Sequence, residues 1–268
     1  MKTIVLSDVH LVADEAGRER MGRFVAFLRQ IDTEDVGRII ILGDLFDFWF
    51  EYKHVIFSGY FDVLRAFADL GDKGVRFDFV CGNHDFWAGR FLRDHLGFAV
   101  HPDRLETDMA DKRVLFIHGD GINERDVSYR VYKRVVRAKP VVWLFSLLHP
   151  DWAMAIARRV SNTNQRVLNP PVAADGPEVS PLKEFAQAVL ARGEADVVMS
   201  GHSHYPLCEE CPGPTGTGLY INTGDWLWHQ SYVECDGEGF QLREFKEASE
   251  EVPGSETQPP VKEPEHEP

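Results

Sequence analysis

Cysteine is scarce in this sequence, with 4 in 268 residues. Cys81 and Cys235 stand alone inside apolar or strand-like runs. Cys208 and Cys211 have the C-x-x-C spacing of redox and zinc sites. No second pair accompanies them and Pro-Gly-Pro follows, so a surface turn is expected there. Long apolar runs are missing too: none approaches the roughly 20 residues of a membrane-spanning helix. Residues 1–8 show neither the charged stretch nor the apolar core of a secretory leader, and a cytoplasmic location is the expectation. Basic residues are outnumbered, 29 Lys and Arg against 43 Asp and Glu, giving a formal net charge of −14. That balance argues against broad electrostatic affinity for nucleic acid or anionic membrane, and a nuclease would lack its basic stripe. No internal repeat is present.

What the chain does have is a composition that is 44% hydrophobic and 12% aromatic, enough for one large α/β domain. Buried strands are expected at Ile4–Leu6, Arg38–Leu42, Val75–Val80, Arg113–Ile117 and Asp196–Met199. Two or three more are expected over Leu219–Asn222, Ser231–Cys235 and Phe240–Phe245. Helical periodicity covers about 17–31, 56–73 and 181–192. Strand, polar loop and helix alternate as in layered α/β domains, where ligands bind beyond the carboxyl ends of the strands.

The first five strands each end in a polar cluster: Asp8-x-His10, Gly43-Asp44-x-x-Asp47, Gly82-Asn83-His84-Asp85, His118, and Gly201-His202-x-His204. One such cluster is weak, because a lone Asp or His at a strand end is usually a cap or a satisfied polar group. Five in succession point to a two-metal site, which needs a bridging anion, neutral imidazoles and open positions for water and substrate. Asp44 is the natural bridge. Asp8, His10 and His204 complete one metal site; Asn83, His118 and His202 complete the other. Mixed nitrogen and oxygen donors favour manganese, iron or zinc over calcium.

These residues resemble the metallophosphoesterase superfamily over about 1–120 and 195–225. The resemblance implies a four-layer αββα sandwich with two divalent ions at its rim, manganese being the expected metal. It implies that His84 faces the scissile phosphate and that Asp47 assists it, orienting the ring and raising its pKa. The bland alternative for Asp47 is a helix N-cap. A narrower resemblance covers most of 1–246. Residues 43–53, His118-Gly119-Asp120-Gly121, Leu148-His149-Pro150-Asp151 and Tyr220 to Trp226 are similar to the UDP-2,3-diacylglucosamine diphosphatases of lipid A synthesis. That family cleaves the pyrophosphate with manganese to give UMP and 2,3-diacylglucosamine 1-phosphate, under a helical insertion that holds the acyl chains. The resemblance places Asp126 and Tyr129 at the glucosamine, and Ser161, Asn162 and Arg166 among other head-group contacts. One position departs: the best-known branch has Arg where this chain has His84, a form shared with general metallophosphoesterases.

Two segments stand outside the α/β alternation of the expected 1–246 domain. Residues 125–170 read as a helical, aromatic and basic insertion. Its run Val141–Leu148 is too apolar for a solvated helix: it is either core or a greasy pocket and membrane-facing lid. Lys133, Arg134, Arg137 and Lys139 are either available to anionic headgroups or an ordinary solvated face. Residues 247–268, rich in Glu and Pro, read as a disordered tail. Three functions compete on these grounds: a lipid-nucleotide pyrophosphatase on the inner face of a membrane, a phosphodiesterase acting on soluble nucleotides or other phosphoesters, and a metal-bearing scaffold without turnover. The oligomeric state is not readable from the chain.

Overall fold

The computed structural model describes residues 1–123, 127–160, 176–214 and 216–246. The expected tail, together with Asp126, Ser161, Asn162 and Arg166, lies outside the described residues. Strands β1 (Lys2–Leu6), β2 (Val36–Ile41), β3 (Arg76–Val80) and β4 (Phe98–His101) run parallel. The antiparallel strands β10 (Ser231–Asp236) and β11 (Gly239–Glu244) extend that sheet to the order β11-β10-β1-β2-β3-β4. The second sheet has the order β5-β6-β7-β9-β8, from β5 (Arg104–Met109), β6 (Lys112–Ile117), β7 (Val197–Ser200), β8 (Leu207–Gly213) and β9 (Gly216–Asn222).

The alternation of side chains along each strand builds the layers. Val5, Ile40 and Val80 point between the sheets and meet Val114, Phe116, Val197 and Ile221. Ile4, Leu6, Ile39 and Ile41 point the other way, toward α1 (Arg18–Gln30) and α2 (Phe61–Asp72). Leu115 and Val198, on the outer face of the second sheet, pack on α7 (Ser180–Ala191) through Leu182, Ala186 and Val189. The result is the expected αββα sandwich. Ile40 is fully buried in its middle layer, and truncating it to Ala would cost about 2–5 kcal/mol.

Four elements were not expected: β4, β5, β8 and the short α3 (Arg90–Leu96). The Cys208–Cys211 segment is not a turn but part of the edge strand β8, paired with β9. Cysteines three apart on a strand face opposite sides, and here Cys208 is exposed while Cys211 is buried. The two thiols therefore do not converge on one ion. The insertion contributes α4 (Val127–Val136), α5 (Lys139–Phe145) and α6 (Pro150–Val160). No single helix among the described residues is long and apolar enough to cross a membrane.

Candidate metal centre and the cavity beside it

Loops leaving β1, β2, β3, β6 and β7 meet at one rim. They carry Asp8 and His10, Asp44, Asn83 and His84, His118, and His202 and His204 respectively. Their approach depends on glycine. A Cβ on Gly82 would lie 2.2 Å from Asp44 Oδ1, and one on Gly43 would lie 2.6 Å from the Gly82 Cα. The backbone is also forced: Asp8, His10, Asp44, His202 and His204 all have left-handed φ, between 48° and 68°. Such conformations cost roughly 1–3 kcal/mol each and persist where surrounding structure over-determines them.

Asp44 sits at the centre. Its Oδ1 accepts the His84 backbone N–H at 2.9 Å. Its Oδ2 lies 3.7 Å from His10 Nε2 on one side and 3.4 Å from His118 Nε2 on the other. On the first side Asp8 Oδ1 is 3.7 Å from His10 Nε2 and 3.5 Å from His204 Nε2, and the two imidazole Nε2 atoms are 3.3 Å apart. On the second side Asn83 Oδ1 is 3.0 Å from His118 Nε2, and the His202 ring lies 5.1 Å from that of His118. Asp8 Oδ1, Asp44 Oδ2 and His202 Nδ1 are buried with no hydrogen-bond partner among the described residues. Orphaned buried polar atoms are costly unless something else satisfies them. They fit divalent ions held among these side chains, with Asp44 between the two sides. Asp8, His10 and His204 also form a group able to hold an ion, as do Asp8, Asp44 and His118.

The electrostatics agree. Burial opposes charge on Asp44, yet His118, His84 and His10 hold its carboxyl well below the usual range. Burial likewise opposes charge on Asp8, but His204 and His10 bring it down to about 2. Burial would lower His118 and His10, but the neighbouring carboxylates, Asp44 foremost for His118 and Asp47 and Asp8 for His10, raise them to about 10 and about 9. Burial and the charge of His118 push His202 down to about 3, leaving a neutral imidazole ready to donate its lone pair. The carboxylates thus favour positive charge beside them, a role that a bound divalent ion would fill.

The sequence did not single out the residues that hold this constellation in place. Asp85 is fully buried, and its carboxylate accepts backbone N–H groups of Gly82 at 2.9 Å, Leu45 at 2.8 Å and Asp44 at 3.2 Å. It ties the Asn83 loop to the Asp44 loop. Asp225 Oδ2 lies 3.2 Å from His204 Nδ1, and the Leu42 carbonyl accepts His118 Nδ1–H at 2.7 Å, which leaves each Nε2 facing the site. The Arg20 guanidinium donates to the His10 carbonyl. The Gly-Asn-His-Asp motif and the Asp225 that follows Asn-Thr-Gly were the signals available for Asp85 and Asp225.

The expectation for Asp47 changes in detail. It is the Asp47 backbone carbonyl that accepts His84 Nδ1–H, at 2.8 Å; its carboxylate is 3.6 Å from that nitrogen and 3.7 Å from His10 Nδ1. Burial outweighs the upward pull of Asp44 and Asp47, so the pKa of His84 is lowered rather than raised.

His84, Asp47, Asn83 and His202 form one wall of a cavity of about 540 Å³. The insertion and neighbouring loops supply the rest, chiefly Phe48, Trp87, Tyr132, Val136, Phe145 and Ile156. Tyr129 lines the same cavity. The apolar run divides between the two readings left open for it. Phe145 stacks into an aromatic cluster, with ring centroids 5.0 Å from Phe50 and 4.9 Å from Trp87. Trp143 and Leu147 instead stand 65% and 62% exposed. The basic residues divide as well: Lys133 pairs with Asp120 at 2.7 Å and Arg137 with Asp103 at 3.1 Å, while Arg134 and Lys139 are exposed.

A curated UDP-2,3-diacylglucosamine hydrolase from Porphyromonas gingivalis is 31% identical over 264 residues, spanning 92% of this chain and 98% of its own. One of the same description from Neisseria gonorrhoeae is 31% identical over 240 residues, spanning 87% and 94%. Among solved structures, a dimetal phosphatase from Danio rerio aligns over 92% of this chain and 99% of its own at 13% identity, with a TM-score of 0.40. The sequence model of calcineurin-like phosphoesterases matches residues 1–206, which takes in every candidate ligand, and the chain belongs to that family.

Proposed function

We propose that this protein is a metal-dependent hydrolase that cleaves the pyrophosphate bond of UDP-2,3-diacylglucosamine, giving UMP and 2,3-diacylglucosamine 1-phosphate. The observation that carries the reading is the joining of the Asp44-centred cluster to an apolar cavity through His84 and Asn83. Curated relatives named for that substrate align over about nine-tenths of the chain. A diphosphate has to lie across the ligand cluster, and an apolar chamber beside it suits acyl chains rather than a soluble nucleotide.

In this reading Asp8, His10, Asp44 and His204 hold one ion, and Asp44, Asn83, His118 and His202 the other. Manganese suits the mixed donor set. Bound metal supplies Lewis acidity that polarises the phosphoryl group and acidifies water. The protein's own groups do the rest. His84 is fixed by its Nδ1–H bond to the Asp47 carbonyl, which turns Nε2 toward Asp44 at 4.0 Å. From there it moves a proton at Nε2 or stabilises charge on the phosphoryl oxygens. The aromatic wall of Phe48, Trp87 and Phe145 excludes water from the lipid side. By the family resemblance, Asp126 and Tyr129 are assigned to the glucosamine and Ser161, Asn162 and Arg166 to the rest of the head group.

We assign the protein to the inner face of a membrane as a peripheral enzyme. Trp143, Leu144, Leu147 and Trp152 are each more than three-fifths exposed, an arrangement suited to insertion at a lipid surface. The experiment is a comparison of kcat/KM for UDP-2,3-diacylglucosamine and for UDP-N-acetylglucosamine, which lacks long chains, in manganese. Each buried methylene contributes about 0.8 kcal/mol, so a few produce a preference well above tenfold. Equal values for the two substrates would leave a phosphodiesterase without lipid selectivity.

A further inference from the structure

The helix α4 forms part of the cavity wall through Tyr129, Tyr132 and Val136, yet none of its described residues is buried. Its inward side chains Tyr129 and Val136 are half-buried, so apolar packing alone holds it weakly. Polar groups hold it instead, and most converge on one acid. Asp120 is 8% exposed and lies two residues beyond His118 in the loop after β6. Its Oδ2 accepts Lys133 Nζ at 2.7 Å and the Tyr129 hydroxyl at 2.9 Å, and its backbone carbonyl accepts Lys133 Nζ at 3.2 Å. Lys133 and Tyr129 are four residues apart, one turn of the same helix face.

We propose that Asp120 is a positioning residue for the lipid half of the substrate: it latches α4 to the loop that carries His118 and so sets the distance between the acyl-binding wall and the candidate metal centre. The inference rests on the cavity being the lipid site. The physical argument is the asymmetry of buried polar pairs. Removing Lys133 leaves the buried Asp120 carboxylate with the Tyr129 hydroxyl alone among the described donors, removing Asp120 breaks both links, and a helix with no fully buried side chain among its described residues then loses its register over the cavity. No hydrogen bond joins Asp120 to a candidate ligand side chain among the described residues, but its charge lies near His118 and His202, so the Lys133 variants, which keep that charge, isolate the latch from the metal centre. Arg137, bound to Asp103 and lying 5.4 Å over the Phe86 ring, steadies the far end of the same helix.

The test uses the full chain loaded with manganese, as Asp120→Asn, Lys133→Met, the double variant and Lys133→Arg. Two quantities are read: amide hydrogen exchange over residues 127–136, and kcat/KM on the diacylated UDP-sugar against a small chromogenic diester. The latch predicts faster exchange in α4 with the sheets unchanged. It predicts a fall of about tenfold or more on the acylated substrate, mostly in KM, with the small-diester rate of the Lys133 variants held within about twofold. The double variant is no worse than Asp120→Asn, which already disturbs the Lys133 and Tyr129 links together, and Lys133→Arg retains most of the preference. Lys133→Met lies on the lid side, away from the candidate ligands, and decides the matter if Asp120→Asn does not fold. Unchanged exchange in α4, or parallel losses on both substrates, would overturn the proposal. If the unmodified protein shows no preference for the acylated substrate, the proposed function falls, and the exchange data alone then decide for or against the latch.

Discussion

Asp85→Ala is the perturbation whose size follows most directly from the structure. The carboxylate is fully buried and accepts three backbone N–H groups within 3.2 Å, with a fourth, from Phe46, at 3.4 Å. Each hydrogen bond to a charged acceptor contributes about 1.5–3 kcal/mol, but burial and the nearby Asp44 charge push the Asp85 pKa up to about 7 and take back part of the sum. Alanine also leaves those N–H groups without an acceptor. A net loss of about 3–5 kcal/mol follows, the range found when one partner of a buried charged cluster is removed. In a chain of this length each kcal/mol shifts Tm by about 2–4 °C, so the midpoint should fall by about 10 °C. The assay is thermal unfolding in chelator, which separates the scaffold from metal binding. Titration of manganese into Asp85→Ala below its midpoint should then show weakened affinity, because the Gly82–Asp85 and Gly43–Asp44 loops are no longer tied. A Tm within a degree or two of the parent would refute the reasoning, since a buried carboxylate with these partners cannot be lost silently. Normal metal affinity together with a large loss of Tm would refute the link between loop tie and metal site.

His84→Ala should retain manganese yet lose roughly 10²–10⁴-fold in rate, while Asp47→Asn should lose little, because the backbone carbonyl rather than the carboxylate holds the His84 ring. Metal loss in His84→Ala, seen by elemental analysis, would make it a ligand instead. Trp143→Ser with Leu147→Ser should cut flotation with anionic vesicles and leave Tm nearly unchanged, because both side chains are mostly exposed. Phe145→Ser should instead lower Tm, because its ring packs on Phe50 and Trp87. Identical behaviour of the two changes would deny the division of the apolar run into an outer and an inner face.

The five strand-end clusters were legible because their positions combine two independent signals. A buried parallel strand such as Arg38–Leu42 carries the continuous apolar run Ile39–Leu42, and the acid Asp44 just beyond it has no apolar packing reason to be there. The edges of the sheets were not legible. Strand β5 reads Arg-Leu-Glu-Thr-Asp-Met, with exposed residues alternating with half-buried ones, and β8 carries Cys, Glu and Pro, so neither shows an apolar run. Pro212 is tolerated because β8 is an edge strand. Helix α3 has only 7 residues, and its first turn is satisfied by Glu51, whose carboxylate accepts the Gly89 and Phe91 N–H groups at 2.8 and 2.7 Å. A cap supplied from 38 residues away leaves no local sequence signature. In the insertion, periodicity marked the apolar run but not its inner face. That is fixed by the aromatic shelf of Phe48, Phe50 and Trp87, which belongs to other loops. The pairing of Lys133 with Asp120 was hidden for the same reason, and it converts a residue that looked available to headgroups into a tether.

The most direct test of the account is to incubate the purified protein with manganese and UDP-2,3-diacylglucosamine and to follow UMP and 2,3-diacylglucosamine 1-phosphate by mass spectrometry, in parallel with chelator-treated protein and with Asp44→Ala. The account predicts the two products in equal amounts from the unmodified, manganese-loaded protein and almost none from either control, because Asp44 Oδ2 lies 3.7 Å from His10 Nε2 and 3.4 Å from His118 Nε2. No UMP from a protein that still hydrolyses a small diester, or undiminished UMP from Asp44→Ala, would contradict it.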